Sequence, residues 1–331
     1  MHIAVFSTQP YDRRFLDEAW QRHGNVEPVY LEAALSLRTA ALAQGCEAVC
    51  VFVNDVLDAP VLQALQQAGV RAVLLRCAGF NNLDVAEAAR LGLFVARVPA
   101  YSPEAVAEHT LALVLTLNRH THRAYARVRE GNFSLDGLLG SNLHGKTVGI
   151  VGTGKIGLAV ARIFKGLGCR LLGHDPLPSA AFAALGEPSD MDRLLAESDI
   201  VTLHCPLSDA TRYLLGDKTL ARMKPGAMLV NTSRGALLDT RAVIAALKSR
   251  HLGALAIDVY EQESALFFND HSGDIIDDDI FQRLMTFPNV LVTGHQGFFT
   301  LEAMREIAAV TVDNLRCHEE GRACANQVLP A

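Results

Sequence analysis

The stretch VGIVGTGKIG, residues 148–157, decides the fold. It sets glycines at 152, 154 and 157, a Gly-x-Gly-x-x-Gly spacing that is common enough by chance to need support from its surroundings. Residues 146–151, KTVGIV, read as a β run, and residues 156–168 carry a helical pattern. The glycines therefore fall where a strand turns into a helix. In that setting Gly152 permits the tight turn, Gly154 lets a pyrophosphate approach the backbone, and Gly157 lets the helix pack close to the sheet. The helix start adds unpaired N–H groups and the positive end of its dipole. Asp175 in LLGHDP, at the end of the next predicted strand, is placed to accept hydrogen bonds from ribose hydroxyls. A carboxylate there repels a 2′-phosphate, so the stretch points to NAD rather than NADP; Lys155 and His174 nearby leave dual use open.

Outward from this point the same rhythm continues. Strands are read at KTVGIV, CRLLGH, IVTLHC, AMLVNT, ALAIDV and VLVTGH, six in all, the count of a doubly wound dinucleotide-binding sheet. The first hundred residues alternate in the same way: HIAVF, EPVYL, EAVCVFV, RAVLLRC and LFVARV are strand-like, with helical stretches between them, TAALAQG included. Ser102-Pro103 starts a helix expected to run to about Arg129 and end at Gly131, apolar nearly all round in its first half and so buried between domains or subunits. The segment from Thr300 to about Glu320 is helical and is expected to pack back on the first domain. The fold class is α/β, two Rossmann-like domains with parallel sheets. The acidic run Asp277-Asp278-Asp279 lies in an unusually long connection, residues 264–280, and lacks the ligand alternation of a calcium loop, so it reads as a solvated face or a helix cap.

Bulk properties narrow the function. A chain of 331 residues, 50% hydrophobic, is long enough for two well-filled domains and predicts a soluble globular protein. A net charge of −6 and a pI near 6.1 give no footprint for nucleic acid, and the apolar runs are too short for a membrane span. The partners expected are small molecules and further copies of the chain. MHIAVFSTQPYDRR lacks the features of a signal peptide, and the seven cysteines form no CxxC pair, so cytoplasmic location, reduced thiols and no metal site are expected.

Three polar residues fall just beyond predicted strand ends: Arg234 in LVNTSRGALLD, Glu263 in AIDVYEQES and His295 in VLVTGHQGFF. Moving a hydride to or from an alcohol carbon needs a group that gives or takes the hydroxyl proton, and imidazole serves both directions. A carboxylate on the other ring nitrogen orients it and favours its protonated form. An arginine beside them can grip a substrate carboxylate through two parallel hydrogen bonds. His109, His120 and His122 lie along the long helix without a metal-ligand spacing and are read as surface or interface residues.

These motifs, with RCAGFNNLD, RVPAYSPEAVAEH, LHCPLSDATRYLL and LFFNDHSGDIIDDD, resemble the D-isomer-specific 2-hydroxyacid dehydrogenases nearly end to end, most closely the bacterial fermentative D-lactate dehydrogenases. The resemblance implies a discontinuous, flavodoxin-like catalytic domain, residues 1–100 and 299–331, and an NAD-binding Rossmann domain, residues 101–298. It implies reversible reduction of pyruvate to D-lactate, with Arg234 on the substrate carboxylate, His295 as acid/base and Glu263 as its partner. Ala78 and Gly79 correspond to the loop that also meets the carboxylate, and Tyr101 and Phe298 to the side-chain pocket. Gly152, Gly154, Lys155, Ile156, Gly157, Asp175, Cys205, Pro206, Thr232, Ser233 and Asp258 correspond to cofactor-binding positions, Asp258 near the nicotinamide carboxamide. A homodimer or homotetramer joined through the NAD-binding domain is implied as well. Two other readings stay open: a larger 2-keto acid as substrate, and an NAD-sensing binding protein on the same fold.

Overall fold

The computed structural model describes residues 1–24, 26–177 and 179–330. The chain divides into two compact units, Met1–Ser102 with Phe299–Ala331, and Pro103–Phe298.

The first unit is built on β1 (His2–Val5), β2 (Glu27–Tyr30), β3 (Ala48–Val51), β4 (Ala72–Leu75) and β5 (Phe94–Arg97), all parallel. Their order, β2-β1-β3-β4-β5, is the flavodoxin-like one. Successive side chains leave opposite faces of a strand, so Ile3 and Val5 enter one core with Trp20 and Leu315 while Ala4 and Phe6 enter another with Leu35 and Leu62. This two-sided burial explains why the strands read as unbroken apolar runs. The helix Leu301–Glu319, capped by the Thr300 hydroxyl, joins the first of these cores through Ala308, Val312 and Leu315. TAALAQG yields only the 3-10 turn Ala40–Ala43: its two buried alanines are three apart, which a single tight turn satisfies.

The second unit carries β6 (Thr147–Val151), β7 (Arg170–His174), β8 (Glu187–Pro188), β9 (Ile200–Leu203), β10 (Ala227–Asn231), β11 (Leu252–Ile257) and β12 (Val290–Val292). The order is β12-β11-β10-β9-β6-β7-β8, again parallel throughout. The chain winds outward from β6 to β8, then returns to β9 on the other side of β6. That reversal is the switch point at whose carboxyl edge doubly wound sheets hold their ligands. Gly149 in β6 is required by packing, since a Cβ there would lie 2.5 Å from the Leu194 side chain.

Two expectations are corrected. A seventh strand, β8, adds two residues to the sheet edge, where Pro188 is tolerated. The long helix is two helices, Pro103–Arg119 and Thr121–Arg129, broken at His120 with φ +51°. The first buries Val106, Leu113, Val114 and Leu117, whereas the second buries nothing, so no core holds it in line with the first. In the acidic connection Asp278 is a helix cap, accepting from the N–H groups of Ile280 and Phe281 at the start of the helix Asp279–Met285. No helix among the described residues is long and apolar enough to cross a membrane.

Candidate active site

The glycine turn follows β6 directly. Gly152 has φ +93°, and a Cβ on it would sit 2.6 Å from the Cys205 nitrogen at the end of β9. A Cβ on Gly157 would overlap the Gly152 carbonyl oxygen, whereas Gly154 faces open space. The helix Lys155–Gly166 starts at Gly154 with no side chain capping it, which leaves its first N–H groups, those of Lys155, Ile156 and Gly157, for an anion. Asp175, after β7, accepts at Oδ2 from the Thr153 N–H at 2.8 Å and the Thr153 hydroxyl at 3.3 Å, and at Oδ1 from the Leu177 N–H at 3.0 Å, so Oδ1 keeps a lone pair for a ribose hydroxyl. These residues fit a dinucleotide: a close-packed turn, one glycine open to a phosphate, and a carboxylate tied to that turn.

Beside the turn, burial pushes the Cys205 thiol up to about 11, so it stays neutral. The Cys205 carbonyl accepts from the Ser233 hydroxyl at 2.7 Å, which links the ends of β9 and β10. Pro206 is exposed, its carbonyl held by the Thr211 hydroxyl, and Thr232 shares a 3.0 Å hydrogen bond with Thr110.

Arg234, Glu263 and His295 follow β10, β11 and β12, three adjacent strands, at their carboxyl ends. The His295 Nδ1 and Glu263 Oε1 atoms are 2.9 Å apart, and the other Glu263 oxygen accepts from the Tyr260 N–H at 3.0 Å. Nε2 of His295 has no partner among the described residues. The imidazole lies near two rings, Phe268 at 5.7 Å and Phe298 at 6.4 Å between centroids. Arg234 is half-buried; its Nη1 donates to the Ser233 carbonyl, and no carboxylate pairs with it among the described residues. Its own carbonyl is fixed by Asn231, and Gly235 packs so tightly on the Tyr260–Glu261 backbone that a Cβ could not be fitted.

Asp258 organises the histidine loop. Its Oδ1 accepts from the Thr293 hydroxyl at 2.5 Å and the Gln296 N–H at 2.9 Å, and its Oδ2 from the Gly297 N–H at 2.7 Å. Its carbonyl accepts the His295 N–H at 2.7 Å, which supports the left-handed backbone of that histidine, φ +53°. His109 Nε2 lies 3.3 Å from Asp258 Oδ1 and 3.1 Å from the Thr293 hydroxyl. Burial alone would raise the Asp258 carboxyl, but the hydrogen bonds from His109 and Thr293 outweigh it and hold it below its usual range. His109 is thus an inward residue rather than a surface one, and Thr293 is a site residue the sequence did not single out. The available signal was spacing: His109 lies four and eight positions before Leu113 and Leu117, on the buried stripe of its helix.

Ala78 and Gly79 follow β4, and half-buried Tyr101 follows β5, at the corresponding edge of the sheet in the other unit. The Ala78 carbonyl accepts from Arg97 and the Gly79 carbonyl from the Cys77 thiol.

The sequence of residues 111–297 matches the NAD binding domain of the D-isomer specific 2-hydroxyacid dehydrogenases. The chain is 58% identical over 332 residues to a D-lactate dehydrogenase of Curvularia clavata, covering 99% of this chain and 95% of that protein. It is 51% identical over 330 residues to the D-lactate dehydrogenase of Escherichia coli strain K12, covering 99% and 100%. The solved apo-structure of D-lactate dehydrogenase from Escherichia coli superposes with a TM-score of 0.91 at 48% identity, covering 99% of this chain and all of that one.

Proposed function

The chain belongs to the D-isomer specific 2-hydroxyacid dehydrogenases, a family of NAD-dependent oxidoreductases, and we propose that its reaction is the reversible reduction of pyruvate by NADH and a proton to D-lactate and NAD. The unit Pro103–Phe298 serves the cofactor, and the segments 1–100 and 299–331 form the catalytic domain, with Ala78, Gly79 and Tyr101 serving the substrate.

Bound NADH supplies the hydride that reduces C2 of the keto acid. His295 holds the proton on Nε2 and gives it to the carbonyl oxygen, because Nδ1 is engaged by Glu263. Glu263 keeps the ring in one orientation, with Nε2 left for the substrate. The unpaired edge of the Arg234 guanidinium takes the substrate carboxylate in a bidentate grip, which also aligns C2. Phe298 walls the methyl end, and Asp258 holds the loop that carries the histidine. In the oxidative direction neutral His295 takes the hydroxyl proton.

The observation that carries this reading is the 2.9 Å contact between His295 Nδ1 and Glu263 Oε1, which leaves one ring nitrogen for chemistry. NADH oxidation measured with pyruvate beside phenylpyruvate, 2-ketoisocaproate, hydroxypyruvate and glyoxylate, with the chirality of any lactate determined, tests it. Efficient turnover of pyruvate to D-lactate is expected. Preference for a bulkier acid moves the substrate, and NADH binding without any turnover favours a binding protein.

The same reading makes the chain a cytoplasmic homo-oligomer. Seven free cysteines accord with a reducing compartment. Phe133, Leu135 and Leu139, 74%, 82% and 92% exposed after the helix Thr121–Arg129, form an apolar arm that a second copy would cover. Analytical ultracentrifugation tests this, with a monomer as the contrary result.

A further inference from the structure

β4 ends at Leu75, and the chain then crosses the sheet edge as Arg76-Cys77-Ala78-Gly79-Phe80. Three consecutive carbonyls of this loop are claimed. The Val98 N–H donates to Cys77 at 3.2 Å, Arg97 Nη1 donates to Ala78 at 2.6 Å, and the Cys77 thiol donates to Gly79 at 3.3 Å. The N–H groups of Ala78 and Gly79 have no partner among the described residues. A trans peptide is planar, with its N–H pointing opposite to its carbonyl. Fixing the Ala78 oxygen therefore fixes the Gly79 N–H, and fixing the Cys77 oxygen fixes the Ala78 N–H.

Arg97 is the charged side chain that donates to a carbonyl of this loop, whereas Arg76, at the loop's start, donates away from it to the Phe6 and Ser7 carbonyls and to Asp12. The Arg97 guanidinium also lies 5.0 Å from the Phe80 ring centroid, so it spans the loop from Ala78 to Phe80. No carboxylate pairs with it among the described residues, and it is only half-buried, so an uncompensated positive charge sits behind the loop. Donation from a cation polarises the Ala78–Gly79 peptide and makes its N–H a stronger donor. Arg97 is itself fixed: its N–H donates to the Asn326 carbonyl at 3.1 Å, and its carbonyl accepts from the side chain of Asn314, a buried residue, at 2.9 Å.

We propose that Arg97 is a positioning residue for substrate binding, setting the Ala78–Gly79 peptide so that its free N–H, that of Gly79, receives the carboxylate of the 2-keto acid. This rests on the reading of Ala78 and Gly79 as a carboxylate-binding loop. Arg97 acts through the loop, so its loss falls on the carboxylate, which all 2-keto acid substrates share, and not on the proton or on the cofactor.

The test compares the wild type with Arg97→Lys, Arg97→Gln and Arg97→Ala. For the Gln and Ala variants the KM for pyruvate rises by roughly 10- to 100-fold, the scale of one lost charged hydrogen bond. The kcat at saturation, the NADH affinity from fluorescence titration and the Tm change little. 2-Ketobutyrate suffers the same factor as pyruvate, methyl pyruvate loses almost nothing, and Arg97→Lys recovers part of the KM. An unchanged pyruvate KM in a folded Gln variant overturns the proposal. A loss spread equally over KM, NADH affinity and Tm also overturns it, since that is a purely structural role. Wild-type protein that turns over no 2-keto acid brings down both this inference and the function it rests on. An active wild type with an indifferent Gln variant brings down this one alone.

Discussion

Glu263 and His295 stand 32 positions apart in sequence, yet Oε1 of the first lies 2.9 Å from Nδ1 of the second. Both side chains are 15% exposed, so the contact is shielded from water but reachable by a small substrate. The Tyr260 N–H fixes the second carboxylate oxygen, so Glu263 has little freedom to turn away. Glu263→Gln keeps the shape and removes the charge. Without that charge the ring exchanges a charged acceptor at Nδ1 for a neutral one and is held less firmly with Nε2 towards the substrate, so kcat/KM is expected to fall by roughly 10- to 100-fold in both directions, the scale of one charged hydrogen bond. Steady-state kinetics of pyruvate reduction and lactate oxidation check this, and an unchanged kcat/KM in both would remove Glu263 from its role.

His295→Ala is expected to lower turnover by about 10²- to 10⁴-fold, the usual worth of an acid/base group, with NADH binding kept. Because Glu263 acts through the imidazole, adding Glu263→Gln to that variant costs almost nothing more. Single-turnover rates of the two single variants and the double variant check the coupling. Multiplicative losses would mean that Glu263 does something the ring does not relay.

Arg234, Glu263 and His295 were legible because each follows an apolar run within a few residues, and ligands of such sheets collect at strand ends. The glycine turn was legible because Gly152 and Gly157 admit no side chain, a constraint the spacing itself records. His109 was not legible in the same way. Its role depends on Asp258 and Thr293, brought together by β11 and β12, and nothing near residue 109 announces them. The helix break at His120 escaped notice because a left-handed residue that is neither Gly nor Asn leaves no mark in sequence. Between residues 264 and 280 the Asp278 cap had a signature, but the burial of Phe267 against Phe281, 6.2 Å between ring centroids, follows no periodicity.

The three glycines separate folding from cofactor binding. Gly154→Ala meets nothing in the protein, so the Tm holds, but the methyl group occupies the approach of the pyrophosphate and NADH affinity falls by about 10-fold or more. Gly157→Ala collides with the Gly152 carbonyl and forces helix and strand apart, so both Tm and affinity fall. Thermal melts with and without NADH, beside a fluorescence titration, check the contrast. Undiminished NADH affinity in the Gly154 variant would move the phosphate site away from this turn.

His204, at the end of β9 beside the glycine turn, ties acid sensitivity to this region. Burial lowers its pKa from 6.5 to about 3, and Nε2 shares a 2.9 Å hydrogen bond with the Thr202 hydroxyl. Between those two pH values the unfolded chain binds a proton that the folded chain refuses. Stability therefore falls as pH drops below 6.5, by up to about 1 kcal/mol per pH unit from this one group, and levels off near pH 3. His204→Asn keeps a hydrogen-bonding side chain that does not titrate. Urea midpoints measured from pH 7 down to pH 4 should decline less steeply for this variant than for the wild type. Parallel declines would mean that the folded protein accepts a proton at His204 without cost, and that its acid sensitivity arises elsewhere.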